Sequence, residues 1–353
     1  MALQTRRPKV ACVLNVWYPN SHADVFMSRL LDGYRLNGAW HAPRLHVASL
    51  YVDQFPFNDQ AREQAAEYGI ALCPTVAEAV RGVDGVAIIG EHGNYPRNAR
   101  GNFQYPRWRL FDQVTSAARV PLYHDKYLAY DWDDALKIYR RVKEQKIPFM
   151  AGSTVPLSWQ RPPLDFARGG ELEEVVAVSY SDLEEHTYHA VEMLQSVVER
   201  RKGGETGVAS VRCVEGPDVW KLDFSPDLLE AALARRVNPP PDDLGQKPQA
   251  FQIRYRDGLK ATVLNLNNKT RDYLFAARRK GVREPISTCF YIQLYNHNHW
   301  SFMVRNFEDL VLTHKEPNPV ERTLLATGIV IFSLESRLQG QKWLDTPELS
   351  IRY

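Results

Sequence analysis

Several features common in enzyme chains are missing here. The four cysteines (Cys12, Cys73, Cys213, Cys289) form no C-x-x-C pair. That removes thiol-redox and zinc-knuckle chemistry and leaves free thiols in apolar, strand-like runs, as in a reducing compartment. No apolar run approaches the roughly 20 residues of a membrane span. Residues 1–9 are polar and basic and contain no apolar export core, so a cytoplasmic location is expected. A formal net charge of +2, from 44 basic and 42 acidic residues, gives no pull toward nucleic acid or anionic lipid. The short basic clusters at 200–202 and 278–280 read as solvated faces. There is no internal repeat, no low-complexity tract and no tight metal motif such as H-E-x-x-H. The most telling absence follows the first strand-like run, where a dinucleotide fold would place G-x-G-x-x-G.

What is present at that point is K-V-A-C-V-L-N-V-W-Y-P-N-S-H-A, residues 9–23. Residues 10–14 are nearly all apolar, as in a parallel strand buried on both faces. Ser21 is a plausible N-cap for a helix over 23–34. The glycine positions are taken by Asn15, Trp17 and Asn20. Those glycines provide a tight turn and close approach of backbone to pyrophosphate, and Trp17 would fill the space a phosphate needs.

A chain of 353 residues exceeds a typical single core, so two domains are expected, 1–152 and 153–353. In the first, further strands are predicted at 45–52, 71–73, 85–89, 120–123 and 148–150. They alternate with helices at 58–68, 75–80, 108–118 and 131–145, which argues an α/β, doubly wound parallel sheet. Beyond the Pro-rich stretch 153–163, strands at 174–180, 207–214, 250–255, 260–266, 272–277 and 287–295 predict an α+β domain with a largely antiparallel sheet. Helices are expected there at 184–201, 226–235, 302–312 and 320–336. Asp257-Gly258 signals a hairpin, and residues 238–247 a loop.

The order of these elements resembles the Gfo/Idh/MocA family, named for glucose–fructose oxidoreductase, inositol dehydrogenase and a rhizopine-catabolism protein. The likeness runs through D-Q…Y-G-I at 53–70, T-V-A-E-A-V-R-G-V-D-G-V-A-I-I at 75–89 and V-P-L-Y-H-D-K-Y-L-A at 120–129. It continues in E-H-T-Y-H-A-V-E at 185–192 and K-E-P-N-P-V-E at 315–321. Asp125 stands for the family's Glu, Tyr127 for its Pro, and Glu185 and Glu192 for aspartates. The resemblance implies an NAD(P)-dependent sugar or polyol oxidoreductase, a Rossmann-like first domain and a site between the domains. It implies Lys126 and His189 as catalytic groups, with Asp125 beside them, and Asp53 as acceptor from the cofactor ribose. Asn15 and His22 join Asp53 as expected cofactor contacts.

In such a sheet, ligands bind beyond the carboxyl ends of the strands, where Glu91, His92, His124, Asp125 and Lys126 fall. Glu185 and His189 share a helical face at i,i+4. These groups support the reading that the missing glycines favour over the redox one, with Glu91, His92, His124, Glu185 and His189 as ligands of one Zn²⁺, Mn²⁺ or Fe²⁺ ion. Such an ion would drive acid/base chemistry without a nicotinamide. Tyr95, His186, Asn296 and His299 are expected substrate contacts. The expected partner is a small hydroxylated or carbonyl molecule, and a homo-oligomer through the C-terminal sheet is expected. Capping and loop roles compete with each of these assignments, and a non-catalytic binding protein is the third reading.

Overall fold

A computed structural model describes residues 6–240, 247–294 and 296–353. The end of the strand expected at 287–295 and most of the loop at 238–247 therefore lie outside the described residues. The chain divides into two compact units: 1–96, 103–152 and 295–320 form the first, and 97–102, 153–294 and 321–353 the second.

The first unit begins with β1 (Lys9–Leu14) and α1 (His22–Asp32). A small hairpin follows, β2 (Tyr34–Leu36) and β3 (Ala39–His41), beginning where the sequence predicts the end of the first helix. Next come β4 (His46–Val52), α2 (Ala61–Tyr68), β5 (Ala71–Leu72), α3 (Val76–Ala79) and β6 (Gly85–Ile89). The run ends with α4 (Arg107–Ala117), β7 (Leu122–Asp125), α5 (Trp132–Gln145) and β8 (Phe149–Gly152). Six strands pair in the order β5-β4-β1-β6-β7-β8, all parallel. This is the strand order of dinucleotide-binding folds, with the chain reversing direction between β1 and β6. Val10 to Leu14 and Val86 to Ile88 have no exposed surface, because helices cover both faces of a parallel sheet. Thr75 caps α3 by accepting from Glu78 N–H, and Gly69 ends α2 at φ 66°, as the sequence predicts.

The second unit holds β9 (Trp159–Arg161), β10 (Leu172–Ser179), α6 (Glu185–Val198), β11 (Val208–Glu215) and α7 (Pro226–Leu233). It continues with β12 (Gln249–Tyr255), β13 (Lys260–Asn265), β14 (Tyr273–Arg279) and β15 (Ile286–Tyr291). Along the chain α8 (Trp300–Thr313) comes next, in the first unit, and then α9 (Val320–Leu338) and β16 (Leu344–Asp345) of the second. Eight strands form one sheet, β16-β11-β12-β13-β10-β14-β15-β9. Among its described strand pairs, only β10–β13 is parallel. The Pro-rich stretch is not merely a crossing, since β9 within it pairs with the edge of β15.

Residues 295–320 correct the expected boundary. Helix α8 belongs to the first unit, not the second. Its Val311 packs so closely on β6 that a Cβ on Gly85 would lie 2.6 Å from it. Glu308, with no exposed surface, accepts from Tyr34 Oη–H at 2.7 Å and from Arg44. No helix among the described residues is long and apolar enough to cross a membrane.

Candidate functional site

In the first unit the polar groups gather at the carboxyl ends of β1, β6 and β7. Three non-glycine residues adopt positive φ in the segments after these strands: Asn20 (64°), His92 (63°) and Lys126 (64°). Such backbone is costly for side-chain-bearing residues and concentrates at functional sites.

Glu91 is the centre of a buried ionic cluster. One oxygen accepts from the Arg107 guanidinium and the other from Lys126 Nζ at 2.9 Å. All three are almost fully buried. Arg107 also donates to the Asp125 carbonyl at 2.5 Å and stacks over the Tyr127 ring at 4.1 Å. Burial opposes the Arg107 charge, but Glu91, Tyr127 and Asp125 outweigh it and raise its pKa. Arg107 escaped the sequence reading. Its signal was an arginine at the first position of a helix, where the macrodipole disfavours a cation unless an anion faces it.

The neighbouring carboxylate is also engaged. Asp125 lies 2.7 Å from His22 Nδ1 and accepts from Tyr123 Oη–H at 2.9 Å. Burial pushes its pKa up, yet His22, Arg107 and Tyr123 together hold it down at about 2. The His22 ring also packs on Trp300 and His92, with centroids 4.7 and 5.1 Å away.

His124 corrects the metal assignment. The sequence placed it after a strand; β7 extends through Asp125, so His124 points to the face opposite Tyr123 and Asp125. It has no exposed surface and packs against Phe111 and Phe149. Neither ring nitrogen has a hydrogen-bond partner. Burial, with Arg107 nearby, lowers its pKa to about 3. Glu91 is held by Arg107 and Lys126, and Glu185 and His189 belong to the second unit. Among the described residues, no group of three or more His, Cys, Asp or Glu is arranged to hold a metal ion.

The positions expected to hold a dinucleotide are filled by the chain itself. Trp17 is 1% exposed. Its indole N–H donates to Asp24 Oδ1 at 3.1 Å, and Asn20 N–H donates to Asp24 Oδ2 at 2.9 Å. Ser21 Oγ accepts from Asp24 N–H at 3.2 Å. A carboxylate and an indole thus stand at the helix N-terminus where a pyrophosphate would bind. Asp53 is likewise taken, accepting from Tyr51, Tyr95 and Arg109 at 2.9, 2.7 and 2.6 Å. These bonds overcome burial and lower its pKa. Tyr95, expected as a substrate contact, donates its hydroxyl to Asp53. Asn15 donates through Nδ2 to the His92 carbonyl at 3.3 Å, and its Oδ1 is buried without a partner.

Asn296 and His299 lie in the first unit, not in the second where they were expected. The Asn296 and His297 carbonyls accept from Arg29 Nη2 at 2.9 Å. His299 is buried, its Nδ1 has no partner, and burial lowers its pKa well below the ordinary value.

In the second unit, α6 carries Glu185, His186 and His189. Ser153 Oγ lies 2.6 Å from His189 Nδ1 and accepts from Val155 N–H at 2.9 Å. The His189 and His186 rings sit 6.3 Å apart, and Tyr273 and Tyr180 border them at 5.8 and 5.4 Å. Burial raises the pKa of both tyrosines. Glu192, one turn further along α6, accepts from Ser153 N–H and from Thr323 Oγ1–H at 3.1 Å. Burial pushes its pKa up to about 7.

No family model and no curated protein matches the sequence. Solved structures do match in shape. GenD2 from gentamicin A biosynthesis, solved in complex with NAD, is 11% identical with a TM-score of 0.65. The match covers 98% of this chain and 97% of that one. Myo-inositol dehydrogenase from Lactobacillus casei, in complex with NAD(H) and myo-inositol, is 12% identical with a TM-score of 0.65. That match covers 96% of this chain and 97% of the other. A probable dehydrogenase from Thermotoga maritima is 11% identical with a TM-score of 0.64, covering 97% and 99%. The chain has the two-part α/β fold of these dehydrogenases over nearly its whole length.

Proposed function

We propose that this chain is an enzyme of the sugar- and polyol-dehydrogenase type. It acts at a hydroxyl, or the carbonyl derived from it, of a small polyhydroxylated molecule. The observation that supports this best is Lys126. Its amine is held on Glu91 at the end of β7, in a strained backbone conformation, on a fold whose solved likenesses are dehydrogenases. Proton transfer at an alcohol or carbonyl oxygen needs such a positioned acid–base group. Arg107 pairs with one Glu91 oxygen, and the other fixes the Lys126 amine. His189, oriented by Ser153 in the second unit, is the second proposed proton-transfer group.

Two versions of this chemistry differ in whether a hydride leaves to a nicotinamide or only protons move. NAD(P)-linked oxidation has the support of the NAD-bound likenesses, more than a metal-assisted reaction has. The residues around α1 do not fit that cofactor, because Trp17 and Asp24 stand at the pyrophosphate position. That misfit favours the second version, an isomerisation or elimination at the same carbon.

Calorimetric titration with NAD⁺ and NADP⁺, beside proton NMR of polyols and keto-sugars incubated with the protein in D₂O, separates the two. Low-micromolar dinucleotide binding with nicotinamide reduction establishes the redox version. Solvent deuterium entering the substrate without dinucleotide establishes the other. Neither signal with any polyol or keto-sugar would overturn the proposal.

A further inference from the structure

The eight-stranded sheet of the second unit has one face that is apolar at one end and cationic at the other. At the apolar end, Val176, Val178, Ala250 and Leu264 pack with Leu228 and Ala232 of α7. At the other end, the register of β11, β12 and β13 aligns Arg212 with Gln252 and Arg254 with Lys260. Because side chains alternate along a strand, Arg212, Gln252, Arg254 and Lys260 all project to this face. They line a concavity of about 70 Å³ together with Trp343 and Asp223.

Its charges are not balanced. The guanidinium of Arg254 lies 3.9 Å from the Trp343 ring centroid, and that of Arg212 lies 5.2 Å from it. Both are within cation–π range, so one indole gathers two like charges. Among the described residues neither arginine forms an ion pair with a carboxylate. Arg212 donates through Nη2 to the neutral Gln252 Oε1 at 2.8 Å, while its Nε is buried without a partner. Lys260 alone has a carboxylate, Asp223, at 2.9 Å on the exposed rim. Three cations therefore face one anion.

We propose that Arg212, Arg254 and Lys260, with Trp343 as their platform, form a binding site for a phosphate-type dianion on this face of the sheet. An excess of two positive charges suits a dianion, and two guanidinium forks suit its oxygens. The concavity admits a phosphate group. A phosphorylated metabolite would anchor its phosphate here and leave the rest of the molecule outside. The partial burial of Arg212, with its Nε enclosed, supports the assignment, since its pKa is lowered by desolvation and by Arg254, both of which a bound anion relieves.

The test is calorimetric titration of the full-length protein with inorganic phosphate at constant ionic strength, with acetate as the monoanion control. Saturable phosphate binding is expected, with acetate at least ~10-fold weaker. Losing one charge-assisted bond of about 1.5–3 kcal/mol weakens binding roughly 10-fold or more. Arg212→Gln and Arg254→Gln should each show that loss, and Asp223→Asn should bind more tightly. Arg119→Gln, on the first unit, should leave binding unchanged. Unsaturable binding would overturn the proposal, as would an equal loss in Arg119→Gln. So would an oligomer that dissociates in Arg254→Gln while phosphate fails to bind the wild type, since the arginines would then serve a second copy of the chain.

Discussion

Replacing Glu91 by Gln should cost more than almost any other single substitution in the first unit. The change keeps the side-chain volume and removes one charge. Arg107, with no exposed surface, and Lys126, 2% exposed, would then be two buried cations without their anion. At an effective dielectric near 20, opposite charges about 3–4 Å apart attract by about 4–6 kcal/mol. The Asp125 carbonyl still accepts from Arg107, and the amide oxygen of the new Gln can accept one bond. The net loss is therefore expected at about 3–5 kcal/mol, the range for breaking a buried pair. Against a total stability of about 5–15 kcal/mol this is severe. Lys126→Met makes the opposite case. It leaves Glu91 paired with Arg107 and removes the desolvation cost of a buried ammonium, so stability should change by less than about 1 kcal/mol. Urea unfolding, with hydrogen exchange at the β6 and β7 amides to locate the effect, measures both. If Glu91→Gln shifts stability by less than 1 kcal/mol, or Lys126→Met costs as much as Glu91→Gln, the Glu91-centred account of this cluster is wrong.

The same Lys126→Met variant, folded, should lose about 10²–10⁴-fold in turnover on whatever substrate is found, and His189→Ala should do likewise. Near-normal rates in either would remove that residue from the mechanism. His124→Leu should be neutral or stabilising, because both ring nitrogens lack partners. With its folded pKa near 3, below the unfolded value of about 6.5, wild-type His124 contributes stability above pH 6.5 that is lost as pH falls toward 3. The Leu variant should lose that slope, about 1.4 kcal/mol per pH unit; an unchanged acid limb in urea titrations would contradict the burial argument. Glu192 has the reverse sign. Its folded pKa near 7 exceeds the unfolded value, so its contribution is full below about pH 4.5 and fades as pH rises through 7. Glu192→Gln should flatten stability over that window, and a slope equal to wild type would refute the assignment. Trp17→Gly combined with Asp24→Ala should raise NAD⁺ affinity above wild type in calorimetry if these side chains are what fill the pyrophosphate position. No gain would show that the position is closed by something else.

Much of the fold was legible in the residues alone. Short apolar runs at 10–14 and 85–89 read as strands buried on both faces, and the helical segments between them argue parallel crossovers. That logic is local, and the observed β1 and β6 follow it. Local logic also identified which segments would bring polar groups to the strand ends, Glu91, Asp125 and Lys126 among them. It could not say which of those groups meet, because that depends on strand register and on which face of the sheet each residue takes. Two more residues of β7 turn His124 from a ligand at a loop into an orphan among phenylalanines. Helix α4 then supplies Arg107, 16 positions from Glu91, as the partner a metal ion was expected to be. The placement of α8 with the first unit was equally invisible, since it rests on contacts such as Glu308 with Tyr34, 274 residues apart. Trp17 lies between these cases. Its bulk in place of a glycine is plain in the sequence, but only the folded loop shows its indole N–H satisfied by Asp24. That bond makes the filled nucleotide position a stable feature of the protein's own packing.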